Sequence, residues 1–330
     1  IINDLAINKD CFQKLTHCWF EGVVPWQQRY LKLSKLDNII PTENLENLKL
    51  SDCIYCDDLN LPFMPKLKIL KLAVHPNHHA EINTKKTITK FENCQNLEEI
   101  AVSKLYSFYN KNLFNTTFGD LVVDHSLSRN DTYSYVSLDL SKLHELKKLK
   151  ELNLSWILAS DIKAIKALPN LKKINIDIMH HTKEDHLSSY DAEPEVNDKD
   201  LLFFKESKKL EDMELSIGEV PTTDGYSEQP YSSYNGDGEF LNYINYKIEK
   251  IHLSINFSLN NQIKIQDIIN KITNRFLNLK ILNLKFGISM RENDFNMFSG
   301  KYLRKIQTQI VDFSKLAKLR KLTELTFQQY

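Results

Sequence analysis

The stretch from Leu149 to Asp177, LKELNLSWILASDIKAIKALPNLKKINID, decides how the rest of the chain is interpreted. It contains a spaced apolar triplet twice, 22 residues apart, at Leu149, Leu152 and Leu154 and at Leu171, Ile174 and Ile176. Alternation around the last two positions of each triplet predicts a strand with one buried face. Between the triplets, a helix is predicted from Ser160 as N-cap, from apolar residues at helical spacing, and from Pro169 as its end.

The same triplet recurs along most of the chain. Seven further copies begin at Leu45, Leu67, Leu97, Leu210, Ile248, Leu279 and Leu322. The pattern resembles the leucine-rich repeat, whose units of 20–29 residues carry Leu at these stations. That resemblance implies an α/β solenoid with a parallel β-sheet on its concave face and helices on its convex face. No copy can bury its own strand, so each must stack on its neighbours.

The repeat is irregular. Successive copies start 22 to 52 residues apart, and a degenerate copy at Phe118, Leu121 and Val123 would divide the longest interval. The Asn that usually follows the last Leu by three residues stands only at Asn256, with Cys53 in its place in another copy. Helical spacing predicts fuller helices in the long repeats, at residues 200–209, 238–246, 263–276 and 301–316. The alternative is a globular α/β fold, whose buried strands are usually continuous Val/Ile runs.

The domain organisation follows from where the triplets stand. Residues 1–40 lack a clear copy, and Phe12, Leu15 and Trp19 share a helical face, which predicts an N-terminal cap; a remnant of a preceding domain is the alternative. Residues 41–330 form the predicted array, with long rim insertions at 103–119, 179–198 and 217–239. The chain begins without Met and stops inside a repeat, so we expect it to be a piece of a longer protein.

Composition narrows the classes of partner. The chain has 43 basic and 43 acidic residues, and Lys outnumbers Arg 37 to 6, so we expect no nucleic-acid partner. No apolar run reaches the length of a membrane span. Five cysteines favour a reducing compartment, although a Cys11–Cys18 disulfide stays open. The expected location is cytoplasmic, or a host cytosol if the protein is an exported effector.

The outward strand positions are the main candidate binding surface. We predict that a protein partner contacts Lys49, Ser51, Lys71, Ser103, Asn153, Ser155, Asn175, Asp177, Glu214, Ser216, His252 and Ser254. Small hydroxyls without aromatic anchors suit an extended protein surface better than a small apolar ligand. The alternative is a plain hydrophilic strand face.

Tyrosines in the insertions extend this surface. We predict further partner contacts from Tyr106, Tyr109, Tyr226, Tyr231 and Tyr234, because Tyr in Gly- and Ser-loosened loops is typical of contact surfaces. The alternative is that the insertions have no partner.

One constellation has the residue types of a metal site. Cys53 and Cys56 stand 22 residues before His75 and His78, and two thiols with two imidazoles would suit tetrahedral zinc. The competing interpretation places Cys53 in a backbone-bonding role and leaves the histidines solvated, and it is the one that we favour, with no cofactor.

Two other groups are weaker metal candidates. The stretch from Asn235 to Glu239 starts like a calcium loop, but Phe240 and Tyr246 stand where such a loop needs Gly and Glu. His180, His181 and His186 are expected to be solvated.

We find no catalytic motif of the kinds that carry phosphate binding, Ser nucleophiles or zinc hydrolysis. The sequence therefore predicts a non-enzymatic protein–protein interaction module. The alternative is the recognition domain of a larger enzyme or regulator whose catalytic part lies elsewhere. The composition is similar to that of leucine-rich proteins of host-associated bacteria, some of them exported effectors. Association through an uncapped C-terminal repeat is a further expectation.

Overall fold

The structure is a computed structural model that describes residues 13–21, 42–55, 61–76, 85–88, 91–103, 106–109, 132–138, 140–158, 162–179, 195–218, 233–258, 264–289 and 312–329. The chain divides into two compact units, Ile1–Leu146 and Lys147–Tyr330. We call them the N-terminal half and the C-terminal half and describe each by itself. The fold class is α/β, with parallel sheet as the main element and few helices.

The N-terminal half contains seven described strands: β1 (His17–Glu21), β2 (Asn47–Tyr55), β3 (Ile69–Pro76), β4 (Lys85–Ile88), β5 (Glu99–Ser103), β6 (Tyr106–Tyr109) and β7 (Thr132–Leu138). Strands β1, β2, β3 and β5 pair in parallel and in chain order. Strands β4, β7 and β6 form a separate three-stranded sheet in which β6 is antiparallel to β7. Two 3₁₀ helices, Phe91–Cys94 and Leu140–Glu145, connect these elements.

The C-terminal half contains eight described strands: β8 (Glu151–Leu158), β9 (Lys173–Met179), β10 (Glu195–Val196), β11 (Asp212–Ile217), β12 (Ser233–Tyr234), β13 (Lys250–Ser258), β14 (Ile281–Ser289) and β15 (Glu324–Gln329). Strands β8, β9, β11, β13, β14 and β15 pair in parallel in that order. The short β10 and β12 pair with each other, and β12 joins the end of β13. Each long strand therefore lies beside its neighbour in sequence, as in a repeat fold.

The apolar triplets form the core, which confirms their predicted role. In the eight copies that begin between Leu45 and Leu279, all three positions are at most 2% exposed. The last copy differs, because Leu325 is 47% exposed and Leu322 and Phe327 are half-buried. The core positions of β15 thus lack the cover that each earlier strand receives from the next repeat.

Backbone hydrogen bonds repeat with the same register. The residue after the first apolar station donates its N–H to the carbonyl of its equivalent in the preceding repeat, at 2.7–2.9 Å. In the C-terminal half, this ladder joins Lys150, Lys172, Glu211, Glu249, Lys280 and Thr323. The first station itself donates to the carbonyl three residues earlier, as in Leu171 to Leu168 and Leu279 to Phe276. Equivalent residues therefore make equivalent bonds, although the repeats differ in length.

A side-chain clasp that we did not predict joins neighbouring repeats. The residue just before the first station is Asn or Lys in each of the nine copies. Asn170 donates its amide to the carbonyl of Lys147 at 2.8 Å, and its amide oxygen accepts from Lys209 of the next repeat at 2.7 Å. Asn44 is placed in the same way between Gln13 and Lys66. The sequence signal was present as an Asn or Lys before every triplet.

The connections between strands contain fewer helical residues than predicted. The only α-helix in the described residues that spans several turns is α1 (Lys264–Arg275); the predicted helices at 200–209 and 238–246 are 3₁₀ segments, Asp198–Glu206 and Glu239–Asn242. After Ile162, the predicted central helix is a turn followed by irregular backbone. Within the predicted 301–316 helix, the structure describes only a 3₁₀ segment, Ser314–Lys318. Seven of the nine first stations donate to the carbonyl three positions back, which favours tight 3₁₀ turns. Among the described helices, none is long and apolar enough to cross a membrane.

The start of the chain also differs from the prediction. Leu15 and Trp19 do not share a helical face, because residues 17–21 form β1 and pair with β2 from His17–Asn47 to Glu21–Ser51. Leu15 and Cys18 stand at the stations of a degenerate triplet, and both are half-buried. The described part of residues 1–40 thus adds a strand to the parallel sheet.

Candidate functional site: the outward strand face

The predicted partner-binding positions lie in register on one face of the C-terminal sheet. Asn153 is opposite Asn175, Asn175 is opposite Glu214, and Glu214 is opposite His252. Neighbouring parallel strands are about 4.8 Å apart, so these side chains form one row across four strands. All four side chains are at least partly exposed, whereas the residues directly before and after each of them along the strand are buried. We call this row, with Asn283 of β14, the amide row.

A second row runs parallel to the amide row, two residues further along each strand. Asp177 is opposite Ser216, and Ser216 is opposite Ser254. Ser155 of β8 lies where the register between β8 and β9 shifts, and its hydroxyl donates to the Asn153 amide oxygen at 3.4 Å. The two rows thus contain seven of the eight predicted residues of the C-terminal half, and the eighth, Ser155, is hydrogen-bonded to the first row.

The charges that flank the amide row are paired within the sheet. Glu151 of β8 lies 3.1 Å from the Lys173 ammonium of β9, and Asp212 of β11 lies 3.8 Å from the Lys250 ammonium of β13. Such exposed pairs contribute about 0–1 kcal/mol each to stability. Each pair also joins two neighbouring strands beside the amide row.

His252 is held in one orientation by its neighbour. The Asn283 amide nitrogen lies 3.0 Å from His252 Nδ1, within hydrogen-bond distance. This contact fixes the position of the ring and leaves its other nitrogen, Nε2, available for a partner. The Asn283 amide oxygen is buried and has no hydrogen-bond partner in the part of the chain that the structure describes.

The exposed part of the outward strand face ends near the C-terminal end of β13. Asn256 follows His252 and Ser254 on the outward side of the strand, opposite Gly287 of β14. Its side chain is 0% exposed, and among the described residues neither amide atom has a hydrogen-bond partner. A buried unpaired amide opposes folding, because its hydration is lost without replacement. The accessible part of the face therefore ends at Ser254.

The predicted positions of the N-terminal half lie on the corresponding strands. The Lys49 ammonium lies 3.9 Å from the centroid of the Trp19 ring, which is 62% exposed. The Lys71 ammonium lies 2.6 Å from a Glu99 carboxylate oxygen. Ser51 and Ser103 are both in register with Ala73, and for these two serines only the strand positions are described.

The tyrosine prediction is wrong for Tyr234. This residue belongs to β12 and is 0% exposed, so it cannot contact a partner. Tyr106 and Tyr109 lie in β6 instead of a loop, and only their strand positions are described. Tyr226 and Tyr231 lie outside the described residues, as do residues 180–194 and their three histidines.

Tyr234 is buried because it belongs to a hydrogen-bonded corner built on Asp198. One Asp198 carboxylate oxygen accepts from the Tyr234 hydroxyl at 2.5 Å and from the Phe240 N–H at 2.9 Å. The other oxygen accepts from the Asp237 N–H at 2.8 Å. The Gly238 N–H donates to the Tyr234 oxygen at 2.8 Å. Burial, followed by the hydrogen bond to Asp198, raises the pKa of Tyr234, so its phenol stays protonated.

Two glycines make this corner possible. A β-carbon at Gly236 would collide with the Tyr234 hydroxyl and the Asp198 carboxylate. Gly238 has a φ of 75°, a left-handed conformation that other residues rarely adopt. The glycines that we took as signs of a loose loop are therefore needed for a tight one.

The corner also includes residues of the calcium-like stretch, Asp237 and Glu239. The Lys271 ammonium of α1 donates to the Asp237 carbonyl at 2.6 Å and to a Glu239 carboxylate oxygen at 2.6 Å. This hydrogen bond is the main reason that the pKa of Glu239 is lowered. Lys271 thus supplies a positive charge to Glu239, one of the carboxylates of the calcium-like stretch.

The zinc candidate assumed that Cys53 and His75 occupy equivalent positions of neighbouring strands, and the structure does not place them so. A register shift between Ser51 and Cys53 places Cys53 opposite Val74, and His75 opposite Ile54, so Cys53 and His75 do not occupy equivalent positions. Cys56 and His78 lie outside the described residues. Among the residues that are described, no group of three or more His, Cys, Asp or Glu could hold a metal ion.

The two thiols with described side chains are not activated. Burial raises the pKa of Cys94 to about 12 and that of the half-buried Cys18 to about 11. Since the thiolate is the reactive form, we expect iodoacetamide at pH 8 to alkylate Cys94 at least about 100-fold more slowly in the folded protein than in urea. Site-resolved mass spectrometry measures both rates, with Cys94→Ser as the blank. Equal rates in the two states would show that Cys94 is not in the core.

Four neighbouring strands of the C-terminal half contribute a row of aromatic side chains that was not predicted from the sequence. Ring centroids 5.7–6.0 Å apart join Tyr234, Phe257, Phe286 and Phe327, one from each of four neighbouring strands. The row ends at Phe313, which is 38% exposed. Contacts of this kind add to the area that each ring buries.

Comparison with known proteins does not identify the chain: no model of a known protein family matches it, and no curated protein gives a significant match.

Proposed function

We propose that the chain is a leucine-rich repeat array that acts as a non-catalytic protein-interaction module. The repeat classification is supported by triplets that are buried in eight copies and by one hydrogen-bond pattern shared between repeats. In this proposal, the parallel sheet provides the concave face of a solenoid, and the connections provide its convex face.

The partner in this proposal is a protein that lies across the outward strand face. The observation that supports it best is the amide row, with Asn153, Asn175, Glu214, His252 and Asn283 in one line across the strands. Side-chain amides and an imidazole offer both donors and acceptors, which peptide groups can match along an extended contact. A small apolar ligand would instead need a closed apolar pocket. The rim tyrosines Tyr106, Tyr109, Tyr226 and Tyr231 remain part of the proposal, without Tyr234.

The alternative is that the array is the recognition domain of a larger enzyme or regulator. In that case the same face would bind the substrate protein or a regulatory partner, and the catalytic groups would lie in another part of the full-length chain. Sequencing the gene on both sides of this region distinguishes the two. A location in the cytoplasm, or in a host cytosol for an effector, belongs to the proposal as well.

Two arginines placed on the strand face test the proposal. We expect the Ser155→Arg, Asn175→Arg variant to bind an affinity-isolated and then purified partner at least about 30-fold more weakly, because two bulky charges occupy the contact surface. Isothermal titration calorimetry gives the two dissociation constants.

A control variant carries the same added charge elsewhere. Ala164→Arg with Ala317→Arg adds two arginines at exposed positions of the connections, and it should bind within about twofold of the parent. Equal affinity of the strand-face variant and the parent would disprove the role of the strand face.

A further inference from the structure

The charge of the chain is not evenly distributed in the C-terminal half. In each of its six long repeats, the five residues that lead into the strand occupy equivalent positions: 147–151, 169–173, 208–212, 246–250, 277–281 and 320–324. We call these six segments together the strand-start edge. They contain twelve basic and five acidic residues, although the whole chain is neutral.

The basic residues of this edge face solvent. All except Lys250 are exposed: Lys147, Lys148, Lys150, Lys172, Lys173, Lys208, Lys209, Lys247, Lys280, Arg320 and Lys321. The equivalent segments of the N-terminal half, residues 13–17, 43–47, 65–69 and 95–99, carry three basic and four acidic residues. The concentration of positive charge therefore belongs to one half of the chain.

The edge contains fewer acidic than basic residues. Four of the five acidic residues lie within 4 Å of a lysine in a neighbouring segment: Glu151 with Lys173, Glu211 with Lys172, Asp212 with Lys250 and Glu249 with Lys280. Lys209 and Lys321 donate to the neutral side chains of Asn170 and Asn278 and keep their charge. Twelve bases against five acids leave a surplus of seven positive charges along the edge.

We propose that the strand-start edge is a docking surface for an acidic segment of polypeptide, beyond the contacts assigned to the strand face. Six strands at about 4.8 Å spacing give an edge about 24 Å long, which an extended peptide of about seven residues would span. A row of like charges at this spacing attracts a chain of opposite charge and is not satisfied by a single small anion.

The side chains favour a polypeptide over a nucleic acid. Eleven of the twelve bases are lysines, and the edge has one arginine, Arg320. Arginine is the residue that recognises phosphates and bases through its planar guanidinium. Single-stranded nucleic acids also need aromatic platforms for their bases, and in the edge segments Tyr246 is the single aromatic residue.

The test measures the binding of fluorescein-labelled poly-L-glutamate to the full chain by fluorescence anisotropy. The edge variant is Lys208→Gln, Lys247→Gln, Arg320→Gln, and the control variant is Lys14→Gln, Lys199→Gln, Lys205→Gln. Both remove three exposed charges, but the control residues lie in the N-terminal half and in the 3₁₀ helix Asp198–Glu206. We expect the edge variant to bind about tenfold more weakly and the control within about twofold. Binding by the parent should weaken steeply between about 50 and 300 mM NaCl.

Three outcomes would overturn the proposal. The first is no binding of poly-L-glutamate at about 50 mM NaCl. The second is equal weakening by the two variants, which would mean that only total charge matters. The third is tighter binding of polyuridylate than of poly-L-glutamate with loss in the edge variant, which would make the edge a nucleic-acid surface. These outcomes are independent of the strand-face test, because that test changes no residue of the edge.

Discussion

Leu152→Glu is expected to unfold the C-terminal half at a temperature at least about 10 °C below that of the parent protein. Leu152 is 1% exposed and stands at the second station of the central repeat. Truncating such a side chain costs about 2–5 kcal/mol, and an unpaired buried carboxylate adds to that. A loss of about 4 kcal/mol is a large part of the stability of a typical domain. For a half of this size, each kcal/mol lowers the melting temperature by about 2–4 °C.

The neighbouring residue supplies a matched control. Asn153 is exposed on the other face of the same strand, so Asn153→Glu adds the same side chain without burying it. Its melting temperature should lie within about 2 °C of the parent value. Circular dichroism at 222 nm follows both transitions. If Leu152→Glu melted cooperatively at the parent temperature, the assignment of the triplets to a shared core would fail.

The core was predictable because its signal repeats. One triplet such as Leu171, Ile174 and Ile176 is weak, but nine copies with the same internal spacing identify the buried face of each strand. The spacing within the last copy does not distinguish the exposed Leu325 from the buried stations of the other copies. Burial of a repeat depends on the neighbour that covers it, and the spacing within one copy carries no information about that neighbour.

Local irregularities caused the errors. A register shift after Ser51 displaced the positions of Cys53 and His75 that had suggested zinc. Such a shift depends on backbone geometry between strands, which a fixed offset of 22 residues does not include. The helix predictions failed for a related reason. Apolar residues at intervals of three and four fit an α-helix and a 3₁₀ helix almost equally over one or two turns.

The overall composition gave no sign of the positively charged strand-start edge. Bases and acids balance over the chain, which led us to expect no nucleic-acid partner and gave no reason to look for a charged surface. Stacking of the repeats aligns Lys148, Lys209 and Lys321 in one column, and their charges combine along one edge. A segment-by-segment charge count at equivalent positions would have detected this surface from the sequence alone.

The Asp198 corner could not be predicted from the sequence, for a different reason. Tyr234 stands among Ser, Asn and Gly, a composition that favours an exposed loop. Its hydrogen-bond partner, Asp198, lies 36 residues away and shows no pattern of its own. Contacts between residues outside the periodic positions are set by the fold, and only the two glycines at 236 and 238 hinted at a constrained turn.

Asp198→Ala is expected to destabilise the C-terminal half by about 3 kcal/mol. The change removes the acceptor for the Tyr234 hydroxyl and for the N–H groups of Asp237 and Phe240. Tyr234 is fully buried, and a buried donor that loses its acceptor costs about 1–3 kcal/mol. Urea unfolding monitored by circular dichroism gives the free energies of unfolding.

A double-mutant cycle separates the Asp198–Tyr234 bond from the rest of the corner. Tyr234→Phe keeps the ring and removes the hydroxyl, so we expect a loss of about 1–2 kcal/mol and a coupling energy of about 1 kcal/mol with Asp198→Ala. Asp212→Ala is the control, because it removes a carboxylate from an exposed ion pair and should cost at most about 0.5 kcal/mol. If Asp198→Ala cost no more than Asp212→Ala, the corner would contribute nothing beyond an ordinary surface charge, and the burial of Tyr234 would need another cause. A large loss without coupling would instead place the contribution of Asp198 in the two backbone N–H groups that start the 3₁₀ turn Glu239–Asn242.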